Sequence, residues 1–236
     1  MAIHGKGSKV FVNGKHLSAY FDSFDLQLSA DTAEKSAFQD TAKGYVGGMT
    51  GATLSLNGFF DEAATAADKI LADAIATRSV WCVFPDGDAI TKSGYGIDGS
   101  NNSHQVMSTK DDCARIAAAC QSDVGADRIV SILALGSKTS SGSGTVNNNG
   151  GASTDGAAYL QAISVTGSVA VKIEHSADNS SWSDLVAFTA VAGIKAERKA
   201  ITGEIKQYTK VTYTLDGGEA ITLQVSLHRV APPLAS

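Results

Sequence analysis

Ser23-Phe24-Asp25-Leu26-Gln27-Leu28-Ser29-Ala30-Asp31 alternates apolar and polar residues, and Thr53-Leu54-Ser55-Leu56-Asn57-Gly58-Phe59 does the same. A period of two gives each stretch one face for a core and one face for water, the pattern of a half-buried strand. Between them runs Phe38-Gln39-Asp40-Thr41-Ala42-Lys43-Gly44-Tyr45-Val46-Gly47-Gly48-Met49-Thr50-Gly51. That is far more chain than a hairpin needs, and a long loop with its own aromatic residues is usually functional. Two strands with polar faces and a contact-rich loop suggest a chain that assembles with copies of itself.

Working outward, residues 61–78 read as an amphipathic helix. Asp61 is placed to cap it, and Glu62 falls in the first turn, where the helix dipole favours acids. Ala63, Ala66, Ala67, Ile70, Leu71, Ala74 and Ile75 follow helical spacing, and Arg78 would close the last turn. Upstream, Asn13-Gly14 separates Ser8-Lys9-Val10-Phe11-Val12 from His16-Leu17-Ser18-Ala19-Tyr20-Phe21, a strong hairpin signal because both turn residues tolerate positive φ. Downstream, Val80-Trp81-Cys82-Val83-Phe84 reads as a buried strand ending in the turn Pro85-Asp86-Gly87-Asp88, and 128–135 as another strand. Residues 109–122 are open to two readings. Cys113, Ile116, Ala117 and Cys120 have helical spacing behind a Thr109–Asp112 capping pair, but an extended conformation also fits.

Residues 137–153 are almost entirely Gly, Ser, Thr and Asn, with Val146 the one apolar residue larger than alanine. Such a stretch reads as a flexible linker. It divides the chain into a domain at 1–136, a linker at 137–155 and a second domain at 156–236. The last contains strands at 159–165, 168–176, 184–189, 208–215 and 220–228, a spacing that argues for an antiparallel β-sandwich. The expected fold class is mainly β: an N-terminal sandwich or barrel with one α-helix, then a C-terminal antiparallel β-sandwich.

The 236 residues are 43% hydrophobic and 18% charged, with 24 glycines and a formal net charge of −5. Clustered Lys and Arg of the kind that bind nucleic acid are absent. Cys82, Cys113 and Cys120 lack the spacing of a disulfide framework or a zinc site and read as buried free thiols of a reducing compartment. The first residues lack the apolar core of a signal peptide, and no apolar run is long enough to span a membrane, so synthesis in the cytoplasm without membrane insertion is expected.

The chemical motifs are weak. Gly94-Tyr95-Gly96-Ile97-Asp98-Gly99 has the dinucleotide-binding spacing, but Ser100-Asn101-Asn102-Ser103 follows where a helix should start, so a flexible loop is the better reading. Asp86-Gly87-Asp88 begins like a calcium loop but lacks its later ligands. Five scattered histidines form no metal or catalytic pair, and no serine-nucleophile elbow is present. No enzyme, metal or cofactor is expected. Trp182, in the turn after Asn179, is a candidate for stacking on a sugar ring.

The order of several segments resembles the tail tube (major tail) protein of long non-contractile-tailed bacteriophages. These are Gly5-Lys6-Gly7-Ser8-Lys9-Val10 before Asn13-Gly14, Leu26 to Glu34, Asp40-Thr41-Ala42-Lys43 with Tyr45 to Gly48, Leu54 to Asp61, and Gly125-Ala126-Asp127-Arg128. His175-Ser176-Ala177-Asp178-Asn179-Ser180-Ser181-Trp182 resembles the immunoglobulin-like or lectin-like domains appended to such proteins. The resemblance implies a structural virion protein in stacked hexameric rings, the conduit for DNA ejection. Its implied partners are copies of itself, other tail proteins (tape measure, terminator and distal tail proteins) and viral DNA passing without specific binding. It implies that 109–122 is extended. Phe38, Gln39, Asp40, Thr41, Lys43, Tyr45 and Val46 would then bridge rings. The polar-face residues Asp25, Gln27, Ser29 and Asp31, with Ser55 and Asn57 opposite, would line the lumen. The C-terminal domain would decorate the outside and is the candidate for contact with host surface glycans. The alternative is a carbohydrate-binding or adhesion β-sandwich module.

Overall fold

The computed structural model describes residues 5–36, 41–61 and 67–230. In chain order the strands are β1 (Lys9–Val12), β2 (Lys15–His16), β3 (Phe21–Glu34), β4 (Tyr45–Phe59), β5 (Arg78–Phe84), β6 (Ser93–Met107) and β7 (Arg115–Lys138). They continue with β8 (Gly142–Ser143), β9 (Asn147–Asn148), β10 (Ser153–Thr166), β11 (Ala170–Ser176), β12 (Ser183–Ala187), β13 (Lys195–Ile205), β14 (Tyr208–Thr214) and β15 (Ala220–Arg229). Helix α1 spans Ala67–Asp73. The fold is mainly β, and each strand pair whose register is described is antiparallel.

The chain forms two compact units, and their bounds differ from the expected division. One comprises Met1–Ala19, Val80–Gly96 and Asp127–Ser236; the other comprises Tyr20–Ser79 and Ile97–Ala126. Each is assembled from separated segments, which a reading of consecutive composition does not anticipate.

In the first unit, β13, β10, β15 and β7 form one layer and β12, β11 and β14 a second. Leu160, Leu223 and Val225 from the first layer pack with Val171, Ile173 and Val211 from the second in a shared core. The opposite face of β10 is buried too: Ala157 and Tyr159 pack with Phe11, Val80, Cys82, Phe84 and Ile129. Burial on both sides explains the apolar run through the middle of β10. The Asn13-Gly14 hairpin forms as expected, with φ of 49° and 75°. Gly14 is required twice over, because a Cβ there would meet the Ala162 carbonyl oxygen at 2.6 Å. Its N–H donates to Gln161 Oε1 at 2.7 Å, and Gln161 Nε2 donates to the Val80 carbonyl at 3.1 Å.

The stretch expected as a flexible linker is instead part of this unit. β7 runs to Lys138, β8 and β9 pair with β14, and β10 starts at Ser153. Short polar side chains make this possible without an apolar contribution. Asn149 Nδ2 donates to the Gln207 carbonyl and to Thr209 Oγ1, and Ser141 Oγ donates to the Leu215 carbonyl. The polar tract therefore satisfies the edge of β14 rather than remaining solvated.

β13 is an edge strand absent from the sequence reading, because its charged residues show no clean alternation. Its side chains close the gap to the neighbouring layer. Lys199 Nζ donates to the Ala187 carbonyl at 2.8 Å and Lys195 Nζ to the Thr189 carbonyl at 3.1 Å, while Glu197 accepts from Thr189 Oγ1 at 2.8 Å. Charged edge strands of this kind resist pairing with stray chains.

In the second unit β4 pairs with β3 on one side and with β7 on the other. Helix α1 ends at Asp73, earlier than expected; of the proposed stretch, Glu62, Ala63 and Ala66 lie outside the described residues. Ala67 and Leu71 are its buried positions. The chain leaves the helix through Ala76 at a φ of 58°, and Arg78 belongs to β5 rather than to a last helical turn. Its guanidinium makes a bidentate pair with buried Asp98, two bonds of 2.7 Å each, which raises the Arg78 pKa. That pairing outcompetes the weak C-terminal dipole interaction expected for it.

Candidate self-assembly sheet

The register of β3, β4 and β7 sorts the alternating residues into two faces. Phe24–Leu56–Ala118 and Leu26–Leu54–Cys120 form rows across the three strands on the buried side. Leu54, Leu56 and Cys120 are fully buried. The other side carries the rows Ser23–Asn57–Ala117, Asp25–Ser55–Ala119 and Gln27–Thr53–Gln121. The predicted lumen candidates Asp25, Gln27, Ser55 and Asn57 thus share one face. Ser29 continues it opposite Gly51, while Asp31 falls at a bulge where Gly48 and Met49 together oppose it. These rows contain one carboxylate and no lysine or arginine. The polar groups bond laterally: Thr53 Oγ1 donates to Gln121 Oε1 at 2.7 Å, and Gln121 Nε2 donates to the Ala52 carbonyl. At one end Arg115 donates to Asp22 at 2.5 Å and covers the Phe59 ring, its carbon 5.1 Å from the centroid. That bond lowers the Asp22 pKa.

Beyond Thr53, β3 and β4 pair only with each other in the sequence of partners from Leu28–Ala52 to Glu34–Tyr45. From Ala30–Thr50 outward this two-stranded ribbon is exposed on both faces, while Ala52 at its base is buried. Met49 is 81% exposed, Leu28 61% and Tyr45 56%. Tyr45 and Val46, expected in a loop, are strand residues. The connection is thus 35–44, with Phe38, Gln39 and Asp40 outside the described residues. Thr41 is exposed, and Lys43 pairs with Glu34 at 3.1 Å. The Lys35 N–H donates to the Gly44 carbonyl at 2.8 Å. A groove of about 410 Å³ lies between residues 28–30, 50–51 and 124–126.

Residues 115–122 are extended, with Ile116, Ala118 and Cys120 buried in alternation. Gly94–Gly99 and the following 100–103 are strand as well, not loop. The glycines serve close backbone approach: a Cβ on Gly99 would meet the Gln121 carbonyl oxygen at 2.0 Å, and one on Gly96 the Tyr159 ring at 2.7 Å.

All three cysteines are free; Cys82 and Cys120 are buried, and Cys113 is exposed, contrary to the expected burial of all three. Burial pushes the Cys82 and Cys120 thiols up to about 12. Among the described residues no group of three or more His, Cys, Asp or Glu is placed to hold a metal ion. No helix among them is long and apolar enough to cross a membrane.

Trp182 sits beneath the Lys210 ammonium, 4.0 Å from the ring centroid, and Lys210 also pairs with Glu174 at 3.3 Å. One face of the indole is therefore engaged by a cation. The missed feature with most polar connectivity is Asp127, whose Oδ2 accepts from Tyr159 at 2.5 Å and from Arg198 at 2.8 and 3.0 Å. Its three residues are far apart in sequence, so no local motif announces it.

No family model and no curated protein matches the chain. Among solved structures, a chain from the virion of the native gene transfer agent particle is similar over 54% of this chain and 98% of that chain, with a TM-score of 0.42 and 15% identity. The Dit protein of phage SPP1, described as a paradigm of the hub adsorption apparatus in phages infecting Gram-positive hosts, is similar over 96% of this chain and 100% of that chain, with a TM-score of 0.38 and 10% identity. A chain of the phage p2 baseplate in its activated conformation is similar over 95% of this chain and 98% of that chain, with a TM-score of 0.31 and 7% identity.

Proposed function

We propose that this chain is a structural subunit of a phage tail, joining copies of itself through the β3–β4–β7 sheet into hexameric rings that stack as a tube. The observation that carries this reading is the sheet itself. Among the described residues β3 pairs on one side only, leaving a long row of unpaired backbone groups, and the residues behind it present an uncharged to weakly acidic polar face. An open edge of that length invites strand addition, and a closed ring removes it by pairing each edge with a neighbour. The polar rows then line the lumen and the apolar rows form the outer core. Its rows carry no lysine, and Arg115 at one end is already paired with Asp22, so little is left to neutralise phosphate and DNA passes without being held. Other tail proteins would contact the tube at its ends.

Electron microscopy of the concentrated full chain tests this reading, with hexameric rings and hollow tubes as the expected result. Tubes should leave duplex DNA unbound at physiological salt, whereas an Asp25→Lys, Gln27→Lys variant should assemble and retain it. A chain that stays monomeric at every concentration overturns the proposal. Tight DNA binding by unmodified tubes overturns its account of the lumen.

A further inference from the structure

Residues 149–153, which lead from β9 into β10, form a cleft of about 380 Å³ with Arg229, the last residue of β15, and Val230 after it. The Arg229 side chain holds the rim together. Its Nε donates to Ser153 Oγ at 3.0 Å, Nη1 to the Asn149 carbonyl at 3.2 Å and Nη2 to the Gly151 carbonyl. All three acceptors are neutral. A guanidinium carries five N–H donors, so two are left over. No carboxylate lines the cleft, and none of the ion pairs among the described residues includes Arg229. Asp155, the acid nearest along β10, accepts the Gly203 N–H through Oδ1 at 2.8 Å instead. Burial lowers the Arg229 pKa, with no opposite charge to offset it. A half-buried charge without a counter-charge is costly to keep unless a ligand supplies one.

The rim offers further donors. The Gly150 N–H donates to Asn148 Oδ1 at 3.0 Å, and Gly150 turns the chain at a φ of 78°. After that turn, the N–H groups of Gly151 and Ala152 donate to no protein acceptor among the described residues. One guanidinium and two backbone amides therefore border the same cleft, with Ala152 and Val230 as its apolar part.

We propose that this cleft is a recognition site for the C-terminal carboxylate of a partner polypeptide that ends in an apolar residue. The single cation matches a carboxylate in charge, and its planar fork matches one in shape. The two amides suit the main-chain oxygens beside that carboxylate, and Ala152 with Val230 suits the last side chain. A chain end presents these three features at fixed spacing, whereas an Asp side chain presents the carboxylate alone. No aromatic residue lines the cleft, so an acidic sugar has no flat surface to stack on.

Titration calorimetry of the full-length chain tests the proposal, with acetyl-alanyl-valine as the probe. The free acid should bind saturably, and its C-terminal amide should bind weaker by about tenfold or more. No saturable binding of the free acid, or equal binding of the amide, would overturn the site. Tighter binding of glucuronate, of inorganic phosphate or of acetyl-aspartyl-valinamide would overturn its assignment to a chain end. Ala152→Glu brings a carboxylate to the rim while leaving every Arg229 bond in place. It should abolish binding at an unchanged thermal midpoint, and undiminished binding would count against the proposal. Arg229→Gln should abolish binding as well. Because that change also removes bonds that hold 149–153, Ala152→Glu is the deciding variant. Neither readout depends on whether the chain forms tubes.

Discussion

Two histidines give the molecule an acid-sensitive side. His16 stacks on Phe11, ring centroids 5.1 Å apart, and its Nε2 is buried without a partner. Burial, then the nearby Lys9 charge, lowers its pKa from 6.5. His175 is also lowered by burial, and its Nδ1 accepts the Lys206 N–H at 3.2 Å, a bond available only to the neutral ring. For a histidine with a lowered native pKa, stability is fully present above the unfolded value. It is lost as pH falls below 6.5, because the unfolded chain takes up protons that the native one refuses. The thermal midpoint should therefore drop on acidification from neutral pH. His16→Phe should keep the stack, remove the orphaned nitrogen and stabilise by on the order of 1 kcal/mol. Its midpoint should depend less on pH, with the His175 share remaining. An unchanged pH profile in that variant would show that His16 does not couple folding to protonation.

At the level of elements, the pairing of β6 with β7 depends on a missing side chain. Any Cβ at position 99 would sit 2.0 Å from the Gln121 carbonyl, a backbone atom that cannot rotate away. Gly99→Ala should separate the two strands locally and cost on the order of 3 kcal/mol in denaturant unfolding. Gly217→Ala is the matched control. No atom lies within 4 Å of a Cβ there, so the change should be neutral to within about 0.5 kcal/mol. Equal midpoints for the two variants would mean that the strands tolerate the wider spacing. The glycine pattern at 94–99 is thereby explained by strand contact.

On the scale of the whole molecule, the chain cannot be cut at its most polar stretch. β15 pairs with β7 over Ile129 to Lys138, and β10 covers Phe11, Cys82 and Phe84 with Ala157 and Tyr159. A chain ending at Gly136 would lose β10 to β15 and expose both cores of the first unit. It should show no cooperative thermal transition and should bind a hydrophobic dye. A cooperative melt for that fragment would restore 1–136 as a self-sufficient domain.

The local pattern by itself determined what depends on near neighbours in the chain. The alternation around Leu26 and Leu54 specified strands and their buried faces, because side chains on a strand alternate whatever the partner. Asn13-Gly14 specified its turn, because few residue pairs accept those angles. The tertiary structure alone decided the rest. Ile116 and Cys120 satisfy a helical period, but burial of Ala118 between them on β7 selects the strand. Arg78 fits a helix terminus, yet Asp98 offers a bidentate partner twenty residues away. The tract 137–155 has almost no apolar surface of its own, and the edge of β14, with β15 and β13 at the two ends of the tract, gives its amides partners worth the loss of chain entropy. The bounds of the two units, and the Asp127–Tyr159–Arg198 network, arise from contacts between distant segments, which no window along the chain contains.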